Sequence, residues 1–322
     1  MRYIVAGAHG SPWSDAGTLA DWARDSMRYE VIAGSSEGRI LERDGSPDPM
    51  SVGLLASFWY YRKFDLGAIT RSCPLILDSG AFTAHTQGGK IDLFEYAEWL
   101  DAAPRPYDFA FTLDVLGDER ASFRNWERMM KRGTPTIPVV HFGQGPSVLE
   151  RYIDAGADRI ALGGLAGGGP TPQAKAWTAV MFRALREHGH VRTHGLGIHL
   201  SSPMARFPWT TTDSSTFGFA WRFARLMLWT GRRWHNVPLD GRSLYAHADL
   251  VRSYGFEPEQ VAVSTPETRE DLVRFVMRVE CRAARDYDAA VARRSDRFMV
   301  NTTFDAGDVV AAAEEAGEHG QA

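Results

Sequence analysis

Several short apolar runs in this 322-residue chain end on side chains able to do chemistry. Leu75-Ile76-Leu77 runs without a spacer into Asp78, Ser79 and Gly80. Later runs end at Asp114, at His141, at the pair Gly163-Gly164, at His199 and at Asp213. A carboxylate closing a buried run is costly to desolvate unless it is paired or used. Any one of these acids reads equally well as a helix N-cap or a turn residue, an explanation that weakens when three fall at successive run ends. Brought together, they offer a carboxylate that is ionised at neutral pH, with a reference pKa of about 3.9, beside further groups for proton transfer. The same residues also allow a metal-dependent hydrolase with Asp78, His141, His199 and Asp213 as ligands, although no His-x-His pair precedes them. The glycine-rich GGLAGGGP segment would equally suit a phosphate-binding turn in a metabolic barrel.

The elements that must position these residues alternate regularly. LILD (75–78) leads to a helix near 92–102, with Asp92 as its cap and Glu95 at the capping-box position. YDFAFTLD (107–114) precedes DERASFRNWERMMKRG, where Phe123, Trp126 and Met130 share a face and Gly133 supplies a left-handed stop. TIPVVHF (136–142) leads to PSVLERYIDAG, with Leu149, Tyr152 and Ile153 inward. RIALGG (159–164) leads to a helix capped by Thr171, opened by Pro172 and followed by Gly189. HGLGIHL (194–200) and WTTTD (209–213) are two more strands. With RYIVAG at the start and a helix at SVGLLASFWYYRKF, this gives seven or eight strand–helix units and hence a parallel sheet. The pattern predicts an α/β fold, a (β/α)8 TIM-like barrel with loop insertions; a doubly wound open sheet is the alternative. No linker or repeat divides the chain, so residues 1–322 read as one domain, with a surface loop over 35–50 and a tail from about 311. In a parallel barrel the C-terminal strand ends converge on one face, which would gather the chemistry-bearing residues in a single mouth.

Composition narrows the class. The chain is 44% hydrophobic and 24% charged, as in a globular protein, with a formal charge of −4 that excludes a generally basic nucleic-acid coat. Cys73 and Cys281 match no metal or redox spacing, and no apolar run approaches the roughly 20 residues that span a bilayer. The first apolar run is too short for a secretory segment, so a reducing cytoplasmic setting is expected.

The same segments carry a family resemblance. LDSGAF resembles the DSGGF signature of tRNA-guanine transglycosylases; FTLDV looks like their second aspartate; IALGGLAGG is similar to their strand-end glycine segment. HGLGIH followed by TTDSST fits the late segment that holds their nucleophile. Order and spacing hold over residues 75–216. Two features depart from the tRNA enzymes: the Cys-x-Cys-x-x-Cys…His zinc cluster is missing, and Asp213 is followed by Ser-Ser-Thr. In both, the chain looks like the shorter DNA-guanine transglycosylases of phages and bacterial DNA-modification clusters.

That resemblance implies a barrel without the zinc subdomain that exchanges guanine in DNA for a 7-deazaguanine (preQ0-like) base, with tRNA as the alternative polymer. It implies neither cofactor nor metal, and no membrane. It places the covalent nucleophile on Asp213, and acid/base work with base binding on Asp78. Asp114 would bind the guanine edge, since carboxylates accept well from N1–H and N2–H. Gly163 and Gly164, lacking Cβ atoms, would let backbone approach the base. His141 or Gln144 would face the base carbonyl, Ser79 would belong to the turn holding the acid, and Phe82 would stack on the purine. His141 as a structural residue is an equal reading, and Phe82 as a core residue is the commoner one; His194 and His199 are weaker candidates.

The polymer itself suggests a second surface. WRFARLMLWTGRRWHNVPLDGR (221–242) carries five arginines against one acid, Asp240, interleaved with Trp221, Trp229 and Trp234. Basic groups for phosphates with aromatics for unstacked bases suit a single strand or a flipped base. Arg232, Arg233 and Arg242 are the expected phosphate contacts, with Trp234 beside them; an amphipathic helix with its arginines in water is the alternative. A non-enzymatic DNA-binding scaffold is a further class, and helper proteins for access to DNA are expected because little chain is left beyond the barrel.

Overall fold

The computed structural model describes residues 2–6, 52–63, 66–67, 74–105, 107–165, 171–262, 265 and 268–298, with side chains in the last helix up to Tyr287. The surface loop expected at 35–50, the tail from 311 and most of the GGLAGGGP segment lie outside these residues.

The fold is a (β/α)8 barrel. Its strands are β1 (Arg2–Val5), β2 (Gly53–Ser57), β3 (Leu75–Asp78), β4 (Phe109–Ala110), β5 (Val139–His141), β6 (Arg159–Gly163), β7 (Arg192–Gly195) and β8 (Thr211–Ser214). They form one sheet in the order β4-β3-β2-β1-β8-β7-β6-β5, every pair parallel. The two ends meet through a parallel bridge from Phe111 to Ile137, where Ile137 N donates to Ala110 O at 2.8 Å and Thr112 N to Ile137 O at 2.9 Å.

The helices begin and end where their capping residues dictate. Helix α1 (Phe58–Tyr61) follows β2 directly, and α2 (Ala81–Thr86) starts just after Gly80. Helix α3 (Leu93–Ala102) is capped by Asp92, whose side chain accepts from Phe94 N and Glu95 N. Helix α4 (Glu119–Arg132) is capped by Asp118 and stops at Gly133, φ 85°. Helix α5 is Pro146–Asp154, and α6 (Pro172–Arg186) has Thr171 accepting from Ala174 N. Beyond β8 come α7 (Phe219–Phe223), an antiparallel hairpin β9 (Arg225–Trp229) and β10 (Trp234–Pro238), α8 (Gly241–Tyr245), α9 (Ala248–Ser253), α10 (Pro258–Val261) and α11 (Arg269–Phe298). No helix among the described residues is long and apolar enough to cross a membrane.

Four expectations about elements need correction. SVGLLASFWYYRKF is not one helix: Gly53–Ser57 is the fully buried second strand and only Phe58–Tyr61 is helical. An uninterrupted apolar run carries no period to separate a strand buried on both faces from a helix. HGLGIHL is not one strand either, because β7 ends at Gly195 and Gly197 turns the chain at φ 70°. On α4 the inward methionine is Met129, 1% exposed, and Met130 stands 41% exposed. Likewise the basic stretch after Trp221 is a short helix and a hairpin, not one amphipathic helix.

Period-two alternation divides the barrel into an inner and an outer layer. Leu54, Ala56, Leu75 and Leu77 face the helices, as do Val140, Ile160 and Leu162 over Leu149, Tyr152 and Met181. Ile4, Leu55, Ile76, Phe109, Phe111, Ile137, Val139 and Ala161 meet as one cluster inside the barrel. Burying such side chains contributes roughly 1.5–3 kcal/mol each.

Candidate active site

The site is one storey above that inner cluster. Two residues beyond Leu55, Ile76, Val139 and Ala161, on the same strand faces, stand Ser57, Asp78, His141 and Gly163. On β8 the inward pair is Thr211 and Asp213. The strand ends therefore deliver Asp78, His141, Gly163 and Asp213 to one mouth, as the sequence pattern led us to expect.

Asp213 is 6% exposed and held by one oxygen. Its Oδ1 accepts from Gly197 N at 3.0 Å and lies 3.0 Å from His194 Nε2. His194 is wholly buried, packs against the rings of Phe109 and Phe111, and has its Nδ1 2.7 Å from Thr211 Oγ1. The consistent assignment has Thr211 donating to Nδ1 and Nε2–H donating to the carboxylate. Oδ2 accepts no hydrogen bond from a described residue, so one lone-pair-bearing oxygen is left for chemistry while the other is fixed.

Asp78 has a different environment. Part of its surface opens on the mouth, yet protein surrounds the carboxyl, and burial is the main cause that raises its pKa from 3.8 to about 7. The charges of Asp114 and Asp213 raise it further, while the Gly80 and Ser79 amides oppose the shift. The Gly80 amide donates to Asp78 Oδ2 at 2.9 Å. Two neighbouring carboxylates thus act on Asp78, which holds a proton near neutrality.

Gly80 makes that turn possible. It sits at φ 76°, and a Cβ there would lie 2.4 Å from Ser57 Oγ and 2.7 Å from Trp59 Cβ. Gly80→Ala is therefore expected to destabilise the protein by about 1–3 kcal/mol in urea unfolding. An unchanged midpoint would mean that the turn tolerates a side chain.

The other sequence candidates are distributed as follows. Asp114 Oδ2 lies 2.6 Å from His141 Nε2, so these two form a pair. Gln144 turns its Oε1 back to accept from His141 N at 2.8 Å, which fixes the loop. Gly163 faces the lumen beside His141: a Cβ there would meet His141 Nδ1 at 3.4 Å and Val139 Cγ1 at 3.0 Å. Gly164 is left-handed at φ 75°. Ser79 is buried, with its Oγ accepting from Ala81 N at 3.2 Å at the start of α2. Phe82 is 70% exposed, so it is no core residue.

His199 does not join the site. Its Nε2 lies 3.1 Å from Glu280 Oε1 on α11 and its Nδ1 2.7 Å from Ser201 Oγ, with Tyr3 and Trp234 against its ring. Among the described residues no three of His, Cys, Asp and Glu are grouped to hold a metal ion, so the four-ligand hydrolase set is not assembled.

Arg232 and Arg233 stand exposed at the tip of the β9–β10 hairpin, and Arg242 is exposed on α8. Trp234 is half-buried between His199 and Trp229, and Trp229 donates from Nε1 to Asp286 Oδ2 at 2.8 Å.

Sequence reasoning missed Ser57, a buried residue whose Oγ has no hydrogen-bond partner, and the Gly197 amide. Ser57 sits inside a run read as helix. The Gly197 amide carries no residue-type signal.

No protein-family model matches the chain. No curated protein matches it either. Among solved structures, it is similar to the carboxyl transferase domain of Rhizobium etli pyruvate carboxylase with 3-bromopyruvate, at a TM-score of 0.39 and 14% identity over 88% of this chain and 48% of that one. The same domain with pyruvate gives 0.38 and 13% over the same shares. The chain spans about half the length of the solved structures it matches. At these values the likeness bears on nothing in the chemistry of the mouth.

Proposed function

We propose that the protein is a base-exchange transglycosylase that replaces guanine in DNA with a 7-deazaguanine (preQ0-like) base through a covalent aspartyl-glycosyl intermediate. The observation that carries this reading is the division of labour between two acids in one mouth. Asp213 is clamped by Oδ1 with Oδ2 unengaged, and Asp78 is set to exchange a proton near pH 7.

The balance of the reaction follows. Asp213 Oδ2 attacks C1′ as the bond from C1′ to guanine N9 breaks, and Asp78 gives its proton to the departing base. The incoming base then returns a proton to Asp78 and attacks C1′, releasing Asp213. Two displacements at one carbon retain its configuration. Asp114, aligned by His141, accepts from the donor edge of the base, while Gly163 and Gly164 leave room for its plane and Phe82 offers a stacking face. A duplex substrate would have to flip the base out to reach a recessed carboxylate. The proposed setting is cytoplasmic, a reducing compartment in which a buried cysteine such as Cys281 keeps its thiol.

Arg232, Arg233 and Arg242 would track the phosphate backbone. Arg232→Gln and Arg233→Gln are each expected to weaken binding to all sequences alike and to lower the slope of log K against log salt by about 1. A variant that altered sequence preference with an unchanged slope would contradict the assignment.

The deciding experiment incubates the folded protein with guanine-containing DNA, or with tRNA, and a labelled 7-deazaguanine. Label in DNA supports the proposal. Label in tRNA alone supports the second reading, and no label in either polymer ends both. The scaffold alternative predicts DNA binding without any covalent adduct.

A further inference from the structure

A hollow of about 430 Å³ lies away from the barrel mouth, between the β9–β10 hairpin and the α8–α9 turn. Thr230, Arg233 and His235 line it from the hairpin, and Tyr245, His247 and Asp249 from the opposite side. The Thr230 hydroxyl donates to Arg233 O at 3.0 Å and accepts from Arg233 N at 3.2 Å, which pins the hairpin tip. The Arg233 guanidinium has no acidic partner among the described residues. The His235 and His247 rings meet edge to face, 5.6 Å between centroids.

His247 Nδ1 lies 3.0 Å from Ser243 O and donates to it, leaving Nε2 as the unassigned nitrogen. His235 Nε2 is buried with no hydrogen-bond partner. A buried nitrogen without a partner is costly, so a ligand group that pairs with it would be favoured here. Among the described residues the only acid lining it is Asp249, which is exposed and lies 3.6 Å from Arg252. Tyr245 turns its hydroxyl to Glu259 and presents only its ring. A metal is a poor fit, since among the described residues no trio of His, Cys, Asp and Glu is grouped here. An arginine fork beside two imidazoles suits an anion with several oxygens, and the volume exceeds that of a bare ion.

We infer that this hollow binds one backbone phosphate of the nucleic-acid strand, with Arg233 as the fixed charge, His235 as a donor that takes up a proton on binding, and His247 as the second ring facing the anion. The inference rests on the transglycosylase reading for the identity of the strand; the phosphate chemistry stands on the hollow itself. Burial, then Arg233 and His247, lower the His235 pKa from its usual value, so the free ring is neutral at pH 7 and the single negative charge of an arriving phosphodiester opposes that shift. Affinity should therefore rise as pH falls.

The test uses the full chain and two probes. Inorganic phosphate should shift the imidazole ¹⁵N resonances of His235 and His247, and calorimetry in buffers of different ionisation enthalpy should show proton uptake. Arg233→Gln should remove both signals. For a short single-stranded oligonucleotide, wild type should bind about tenfold more tightly near pH 6 than near pH 8. The double variant His235→Gln/His247→Gln should lose most of that difference, whereas the part due to Asp78 remains. Unmoved histidine signals, or an unchanged pH dependence in a folded double variant, overturn the inference. Base exchange without phosphate uptake would defeat this inference alone. Phosphate uptake without base exchange would defeat the transglycosylase reading and leave the phosphate site standing.

Discussion

Asp213→Asn is expected to lower base exchange by more than about 10⁴-fold while leaving the fold intact. The amide is isosteric, and its oxygen can take the place of Oδ1 beneath Gly197 N–H and His194 Nε2–H. The NH₂ group then points into the mouth where Oδ2 stood, with no lone pair able to form an ester at C1′. Removing a buried charge near Asp78 also relieves repulsion, so the melting temperature should hold or rise. Two measurements check this: labelled-base incorporation, and a covalent protein–DNA adduct surviving denaturing electrophoresis. The adduct should form with wild type when the second base is withheld, and be absent from the variant. Activity near wild type in Asp213→Asn would place the nucleophile elsewhere.

The second large effect belongs to Asp78. Its folded pKa of about 7 lies above its ordinary value of 3.8, so the folded state binds this proton more tightly than the unfolded chain does. The resulting stability is fully present below about pH 4 and is lost as pH rises through about 7. A three-unit shift corresponds to an upper bound of about 4 kcal/mol, and the partly open carboxyl brings this down to about 1–3 kcal/mol. Asp78→Asn should thus be more stable than wild type at about pH 8, with the difference vanishing toward about pH 4 in chemical denaturation. The same substitution should reduce exchange by about 10²–10⁴-fold and remove the limb near pH 7 from the wild-type rate profile. A variant no more stable at alkaline pH would mean that the acid is not held out of its ordinary ionisation.

How much of this was legible in the sequence depends on the kind of signal. Caps announced themselves: Asp92, Gly133, Thr171 and Pro172 occupy the positions their chemistry suggested, because capping is local. The convergence of Asp78, His141 and Asp213 was legible because each ends a buried run, and parallel strands end on one side. Strand β2 was not, since Leu54 and Leu55 face opposite layers that are both apolar. Nor was the pairing of Asp114 with His141, or of His194 with Asp213, because each joins residues on neighbouring strands through register alone. His199 misled for a related reason: Gly197 bends the chain and carries the imidazole to Glu280, far along the sequence.

The ring of strands has one thin seam. Between β4 and β5 the described residues supply one backbone bridge, Phe111–Ile137, with the Thr112 and Thr136 hydroxyls 2.8 Å apart beside it, and just above them Asp114 reaches across to His141. That hydrogen bond works as a clasp on the weakest course of the wall. On the proposed function Asp114 would turn to accept a guanine edge and the clasp would have to share its oxygens, coupling occupancy of the mouth to tightness of the barrel. Amides of Thr112 and Ile137 should accordingly exchange with solvent sooner than those of β1 and β8, and Asp114→Asn should hasten them further. Equal protection around the ring would show the wall to be uniform.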